Sequence, residues 1–138
     1  MTDKAGIAAA NFPPHYLERL IEVSPDIVIA VNRQGIIVYY NGGAEKGLGY
    51  AGPEILNTHV SKLYPSLDEA QRVMNAMRSE EWGGPGKVRN FETVFVDRLQ
   101  EEIPVAISGS VIVDNAGLEI GSIGCLLYTS DAADEWLR

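Results

Sequence analysis

The chain has 138 residues, which fits one domain, and 46% of them are hydrophobic, which is enough to bury a core and too many for a disordered chain. Its formal net charge of −8 argues against a surface built to bind nucleic acid, because such a surface needs clustered Lys and Arg. No apolar run approaches the roughly 20 residues of a membrane helix, and the start lacks the pattern of a secretory signal. We therefore expect a cytoplasmic protein that contacts neither a membrane nor nucleic acid directly.

The first predicted element is a short helix that follows a flexible leader at residues 1–12. Its apolar residues Leu17, Leu20 and Ile21 recur at i, i+3 and i+4, so they share one face of the helix. Prolines before these residues favour a helix start, and Pro25 ends the helix because the residue before a proline avoids the α conformation.

Two apolar runs rich in β-branched residues predict a β-hairpin over residues 26–41. Residues 27–31 and 36–40 form its strands, and the turn between them ends at Gly35, which accepts a positive φ. Because both strands are apolar at successive positions, we expect both of their faces to be covered.

Short helical turns broken by glycine are predicted from residue 41 to residue 65. Ser66 and Glu69 then have the spacing of a capping box, which predicts a longer helix from residue 67 to about residue 80.

The remainder of the chain predicts three strands, at residues 88–97, 102–114 and from 119 onward. A turn ending at Gly117 joins the last two, and Gly109 in mid-strand predicts a bulge or a close approach of backbones. This element order predicts an α+β fold, with one five-stranded antiparallel sheet, helices packed on one side of it and an N-terminal flanking helix.

Short motifs recur in a fixed order along this pattern. They are Pro25-Asp26, Asn32 with Gly35, Asn41 with Ala44, Gly49-Tyr50 with Glu54, Phe91-Glu92, Ile103-Pro104-Val105, Asp114 with Gly117, and Gly121-Ser122-Ile123-Gly124. In this order the chain resembles a PAS domain over about residues 13–124, similar to the PAS modules of bacterial sensor histidine kinases. The resemblance implies a PAS fold and a sensory, non-enzymatic role within a larger signalling protein. That protein would be a sensor histidine kinase or a regulator of transcription.

The resemblance also implies a small apolar cavity between the sheet and the helices. The residues expected to line it are Val28, Ala30, Tyr39, Met74, Val105 and Ile107. Two interpretations stay open. The cavity either holds a small ligand whose presence is relayed by conformational change and dimerisation, or these residues pack as a filled core in a ligand-free interaction module.

Two cofactor classes can be compared with the residues present. Haem-binding relatives carry an axial His on the long helix, but residues 67–80 contain none, and His59 only precedes that helix. Photosensors that bind flavin covalently carry a reactive Cys in the region of residues 57–64, where this chain has none. The cofactor is left unknown, and a non-covalent flavin remains open. His15 is the one other histidine, and no nucleophile elbow is present, so we expect no catalysis.

The N-terminal helix is the expected dimer contact. Related modules often pair through this helix, and its apolar residues Leu17, Leu20 and Ile21 can cover either the domain's own sheet or a second copy. We therefore expect a homodimer.

The end of the chain has an unusual sequence. Residues 125–135 match the translation of a common transposase-type sequencing adapter. We therefore expect residues 125–138 to be a non-native tail, with the last strand running on into about residue 130 and the natural protein continuing into a lost output domain. On this interpretation Cys125 is not a natural residue and has no redox role. The alternative, a natural strand end with an acidic tail, stays open.

Overall fold

The structure is a computed structural model that describes residues 14–128, so the expected leader at residues 1–12 and the part of the tail after Tyr128 lie outside the described residues. In chain order, the elements are α1 (Pro14–Val23), β1 (Ile27–Asn32), β2 (Ile37–Tyr40), α2 (Gly42–Leu48), α3 (Gly52–Ile55), a 3-10 helix (Val60–Leu63), α4 (Leu67–Arg78), β3 (Lys87–Val96), β4 (Glu102–Val113) and β5 (Glu119–Tyr128). The predicted elements are confirmed, with ends that differ by one or two residues.

The five strands form one antiparallel sheet in the order β2-β1-β5-β4-β3. The pairing of β1 with β5 joins the N-terminal hairpin to the C-terminal strands, and it places Ile29 opposite Gly124. On the other side of β5, Leu126 lies opposite Ile107 of β4. The helices that follow β2 pack against the sheet, so the predicted α+β architecture is confirmed.

Only one face of the sheet carries the core. Along β1, Ile27, Ile29 and Val31 are buried, whereas the alternate residues are half-buried. On β2, Val38 is 53% exposed. The expectation that both faces of the hairpin are covered therefore holds in full only for the inner face. The outer face of β1 is half-buried, and Val38 is the β2 residue that has no partner on β1.

The start of α4 forms half of the predicted capping box. The Ser66 hydroxyl accepts a hydrogen bond from the Glu69 N–H at 3.1 Å, as predicted. The Glu69 carboxylate, however, pairs with Arg72 at 2.7 Å and accepts a hydrogen bond from the Thr93 hydroxyl of β3. Glu69 thus ties α4 to the sheet instead of completing the cap.

The adapter-like segment takes part in the fold. Leu126 is 3% exposed and belongs to the hydrophobic core, and Cys125 is opposite Val28 of β1. The origin of the segment stays a prediction, but its first residues supply part of the last strand. Among the described residues, no helix is long and apolar enough to cross a membrane.

Candidate ligand cavity

A small cavity lies between the sheet and the helices. Its volume is about 50 Å³. It is lined by Ile29, Val31, Val60, Tyr64, Val73, Met74, Met77, Phe95, Ile107, Ser122, Gly124 and Leu126. Four strands, α4 and both ends of the 3-10 helix therefore contribute residues to the cavity lining.

Two residues that carry hydroxyl groups, Tyr64 and Ser122, belong to this otherwise apolar lining. Tyr64 is 9% exposed and Ser122 is 5% exposed, and neither hydroxyl has a hydrogen-bond partner among residues 14–128. In the same part of the chain, no completely enclosed side-chain nitrogen or oxygen lacks a partner. Both hydroxyls therefore reach accessible space, and we take this space to be the cavity that their residues line.

The cavity has no charged side chain in its lining. Burial raises the pKa of the Tyr64 phenol well above its usual range, so this hydroxyl stays protonated and can donate or accept a hydrogen bond at neutral pH. The site is suited to neutral chemistry, because an unpaired charge in such surroundings is costly.

Three of the six residues predicted to line the cavity lie on the inward face of the structure. Met74 and Ile107 line the cavity, and Val105 is buried in the same core but outside the lining. Whether any of them contacts a ligand remains a prediction.

The other three predicted residues lie on the outward face, so their predicted place in the cavity lining was wrong. In each case a neighbouring residue of the same strand faces inward instead. Val28 and Ala30 alternate with the buried residues of β1, and Ala30 is paired with Tyr39 of β2. Val28 lines an open groove on the outer face beside Cys125. Side chains alternate between the two faces of a strand, so a shift of one residue moves every side chain to the opposite face. Because the run is apolar at every position, its pattern does not show which residues face inward.

Tyr39 interacts with α1 instead of the core. Its hydroxyl donates a hydrogen bond to the Glu22 carboxylate at 3.3 Å, and burial followed by the nearby Glu22 charge raises the pKa of the phenol. Its neighbour Tyr40 takes the inward position and donates to the Ala44 carbonyl at 3.2 Å.

Ten of the twelve lining residues were missed from sequence, and Tyr64 and Ser122 are the two among them that carry a polar side chain. Ser122 and Gly124 have the same period-two phase as Leu126 on β5, so the alternation along the predicted last strand was a signal that they face inward. Tyr64 carries no comparable signal, because it follows a single 3-10 turn whose direction is set by packing.

Comparison with known proteins supports the resemblance. The family model of the PAS fold matches residues 15–128. This chain belongs to the PAS family. No curated protein gives a significant sequence match.

Solved structures share this PAS fold at low sequence identity. The PAS domain of a protein from Colwellia psychrerythraea has a TM-score of 0.73 at 15% identity, and the match covers 85% of this chain and 97% of that one. A PAS domain from a two-component sensor histidine kinase has a TM-score of 0.67 at 13% identity, covering 83% and 95%. The PAS domain, in complex with ethanol, of a LuxR-family transcriptional regulator from Burkholderia thailandensis has a TM-score of 0.65 at 16% identity, covering 82% and 96%. At these identities the likeness shows the fold alone.

His59 has a structural role in this PAS domain. Its ring nitrogen Nδ1 accepts a hydrogen bond from the Ser61 N–H at 3.1 Å, which caps the 3-10 helix, and the residue is exposed. The cavity is also far smaller than the 300–1,000 Å³ of typical cofactor and drug-sized sites. Its present shape therefore fits neither haem nor flavin.

The predicted dimer residues on α1 differ in exposure. Leu17 is 44% exposed and Leu20 is 57% exposed, whereas Ile21 is half-buried. An open groove is lined by α1 residues and by Tyr39 of the sheet. The helix therefore leaves most of its apolar face uncovered within the described residues.

Proposed function

We propose that this chain is the non-enzymatic sensory module of a signalling protein, and that it senses a small ligand bound in the cavity. The carrying observation is that Tyr64 and Ser122, whose hydroxyls have no partner among the described residues, line a small, uncharged cavity, because polar groups without partners in a core call for a ligand or water. Sensor histidine kinases and transcriptional regulators both appear among the structural neighbours. We propose a parent protein of one of these two kinds.

The relay would run from the cavity to α1. A ligand that binds one arrangement of the cavity walls more tightly shifts the population toward that arrangement. Ile29 and Val31 of β1 line the cavity, and β1 is connected to α1 through Asn41. Through this connection, occupancy would bias the position of the flanking helix.

The test is native mass spectrometry of the purified 138-residue chain, together with its ultraviolet–visible spectrum. A bound mass that disappears on denaturation would support ligand sensing, and the spectrum would reveal a coloured cofactor. Turnover of any substrate by the purified chain would contradict the non-enzymatic assignment.

A second candidate function, dimerisation without a ligand, is favoured by the exposed leucines of α1. In this proposal the apolar face of α1 packs against a second copy, which removes its leucine surface from water. Changing both Leu17 and Leu20 to Glu is expected to convert a dimer into a monomer, as measured by multi-angle light scattering.

Leu99→Glu is the matched control for the dimer test. Leu99 is 74% exposed in the turn between β3 and β4, and it is not among the residues that line the groove beside α1. It should leave the molar mass unchanged. A monomeric parent chain at high micromolar concentration would count against dimerisation.

A further inference from the structure

We infer that Gly124 sets the size of the cavity and that the ligand is a neutral molecule of about three to five non-hydrogen atoms with one hydroxyl or carbonyl group. This inference rests on the proposed function of the cavity and names the ligand class that the site accepts.

Gly124 leaves part of the cavity wall without a side chain. It lies on β5 between Ser122 and Leu126, two inward residues that also line the cavity. A Cβ at this position would meet only Cγ2 of Ile107, at an ordinary contact distance of 3.5 Å. A methyl group therefore fits here without displacing the backbone, and it would occupy space that is now open.

Other glycines of the central strands do not have this freedom. A Cβ at Gly109 would overlap the carbonyl oxygen of Ile123, and a Cβ at Gly121 would overlap that of Val31. Close backbone approach explains glycine at those two positions, but it does not explain glycine at 124. The lack of a side chain at Gly124 instead accounts for open volume.

The volume limits the ligand. A water-sized group needs roughly 10–15 Å³ of such space, so 50 Å³ holds about three to five groups. At the best affinity reached per atom, a ligand of four non-hydrogen atoms has a dissociation constant of roughly 40 µM, and weaker values are the rule.

The lining limits the chemistry. No charged residue can pair with an ionic ligand, so a carboxylate or ammonium group would be desolvated without compensation. The hydroxyls of Tyr64 and Ser122 can each donate or accept one hydrogen bond, which matches a ligand hydroxyl or carbonyl. The remaining lining is aliphatic, aromatic and thioether, which suits a short hydrocarbon portion.

Three probes of equal size test this class. They are 2-propanol, 2-methylpropane and acetate, each with four non-hydrogen atoms, titrated into the full chain labelled at its methionine methyl groups. Met74 and Met77 both line the cavity and report binding through their chemical shifts. We expect saturable shifts with 2-propanol and none with acetate at pH 7.

Two variants separate cavity size from hydrogen bonding. Gly124→Ala is expected to weaken 2-propanol binding at least tenfold while the chain stays folded by circular dichroism. Ser122→Ala is expected to weaken 2-propanol severalfold and leave 2-methylpropane unchanged. Ser110→Ala is the matched control, because Ser110 is on the outer face of the neighbouring strand, and it should alter neither.

The outcomes distinguish this inference from the proposed function. If Gly124→Ala binds 2-propanol as well as the parent chain does, or if acetate binds equally well, the inference fails. If none of the probes binds but a heavier ligand co-purifies, the ligand class is wrong and the sensory function survives. If no probe binds and no ligand co-purifies, the cavity holds only water and both fail.

Discussion

At the scale of single residues, Asn41 connects three elements through one buried amide. Its carbonyl oxygen accepts hydrogen bonds from the Val28 and Ala44 N–H groups, both at 2.9 Å. Its amino group donates to the carbonyls of Ile21 at 2.7 Å and Asp26 at 3.0 Å. The side chain is completely buried, so none of these groups has water as a substitute partner.

Replacing Asn41 with Ala is expected to lower the free energy of unfolding by about 3 kcal/mol or more, because several buried backbone groups lose their partners. Urea denaturation measures this loss. Asn75→Ala on the exposed face of α4 is the matched control and should change stability by no more than about 0.5 kcal/mol. Equal effects of the two changes would show that the Asn41 connection contributes little.

Glycine at 109 and glycine at 124 are expected to respond in opposite ways to alanine. Gly109→Ala forces a Cβ onto the Ile123 carbonyl, so we expect a loss of about 1–3 kcal/mol. Gly124→Ala makes an ordinary contact, so we expect it to be no less stable than the parent chain. Thermal unfolding of both variants measures the difference, and a stable Gly109→Ala variant would contradict the close approach seen between β4 and β5.

At the scale of elements, α4 is fastened to β3 by charge. Arg72 pairs with Glu69 and also donates to the Glu92 carbonyl at 2.9 Å, and its guanidinium lies 4.7 Å from the centre of the Phe91 ring. Hydrogen bonds from Arg72 and then Thr93 hold the pKa of the Glu69 carboxyl below its usual value of 4.5. The ionised carboxylate is therefore the form that the fold favours.

Glu69→Gln should reduce stability at pH 7 by up to about 1 kcal/mol, the range of exposed ion pairs. A carboxyl whose pKa is lowered by folding stabilises the protein above its unfolded pKa, and this contribution is lost as the pH falls below about 4.5. The difference between the variant and the parent chain should therefore shrink in acid. Urea titrations at several pH values measure it.

Glu80→Gln, just after the end of α4, is the control for this pH dependence. It removes an exposed carboxylate that makes no hydrogen bond to another described residue. A Glu69→Gln variant whose deficit is the same at pH 3 and pH 7 would contradict the assigned role of the carboxylate.

At the scale of the whole molecule, stability is expected to be uneven. The central strands β1, β5 and β4 are paired on both sides and carry buried side chains. By contrast, α1 exposes nearly all of its side chains. Cooperative units with few buried contacts open at a lower free-energy cost than the core does.

Hydrogen exchange should therefore be slowest at amides of β1 and β5 and fastest within α1. Measurements on dilute protein give the order of exchange rates within a single chain. Protection of α1 that rises with protein concentration would indicate the proposed dimer. Uniform protection of α1 and the central strands in dilute protein would contradict this order.

The local pattern of the sequence determined which elements form and, to within one or two residues, where they end. β-Branched runs, proline before a strand, glycine at turns and Ser66 before a helix act within a few residues, so they were sufficient for all five strands and for α1 and α4. The motifs that indicate the family are also short and local, so the sequence was sufficient to recognise them, and Asn41 is one of their residues.

Tertiary packing alone decided which face of each strand is buried and what the cavity contains. The run from Ile27 to Val31 is apolar at each position, so the sequence does not show which of its side chains face inward. The helices that pack on the sheet decide this, and Ile29 faces the core whereas Val28 faces outward. Glu69 was predicted to cap its own helix, but its carboxylate accepts a hydrogen bond from the Thr93 hydroxyl of β3. A local motif cannot predict this partner, because it lies 24 residues away in the sequence. Tyr64 and Ser122 line the same cavity only because distant segments of the chain converge there.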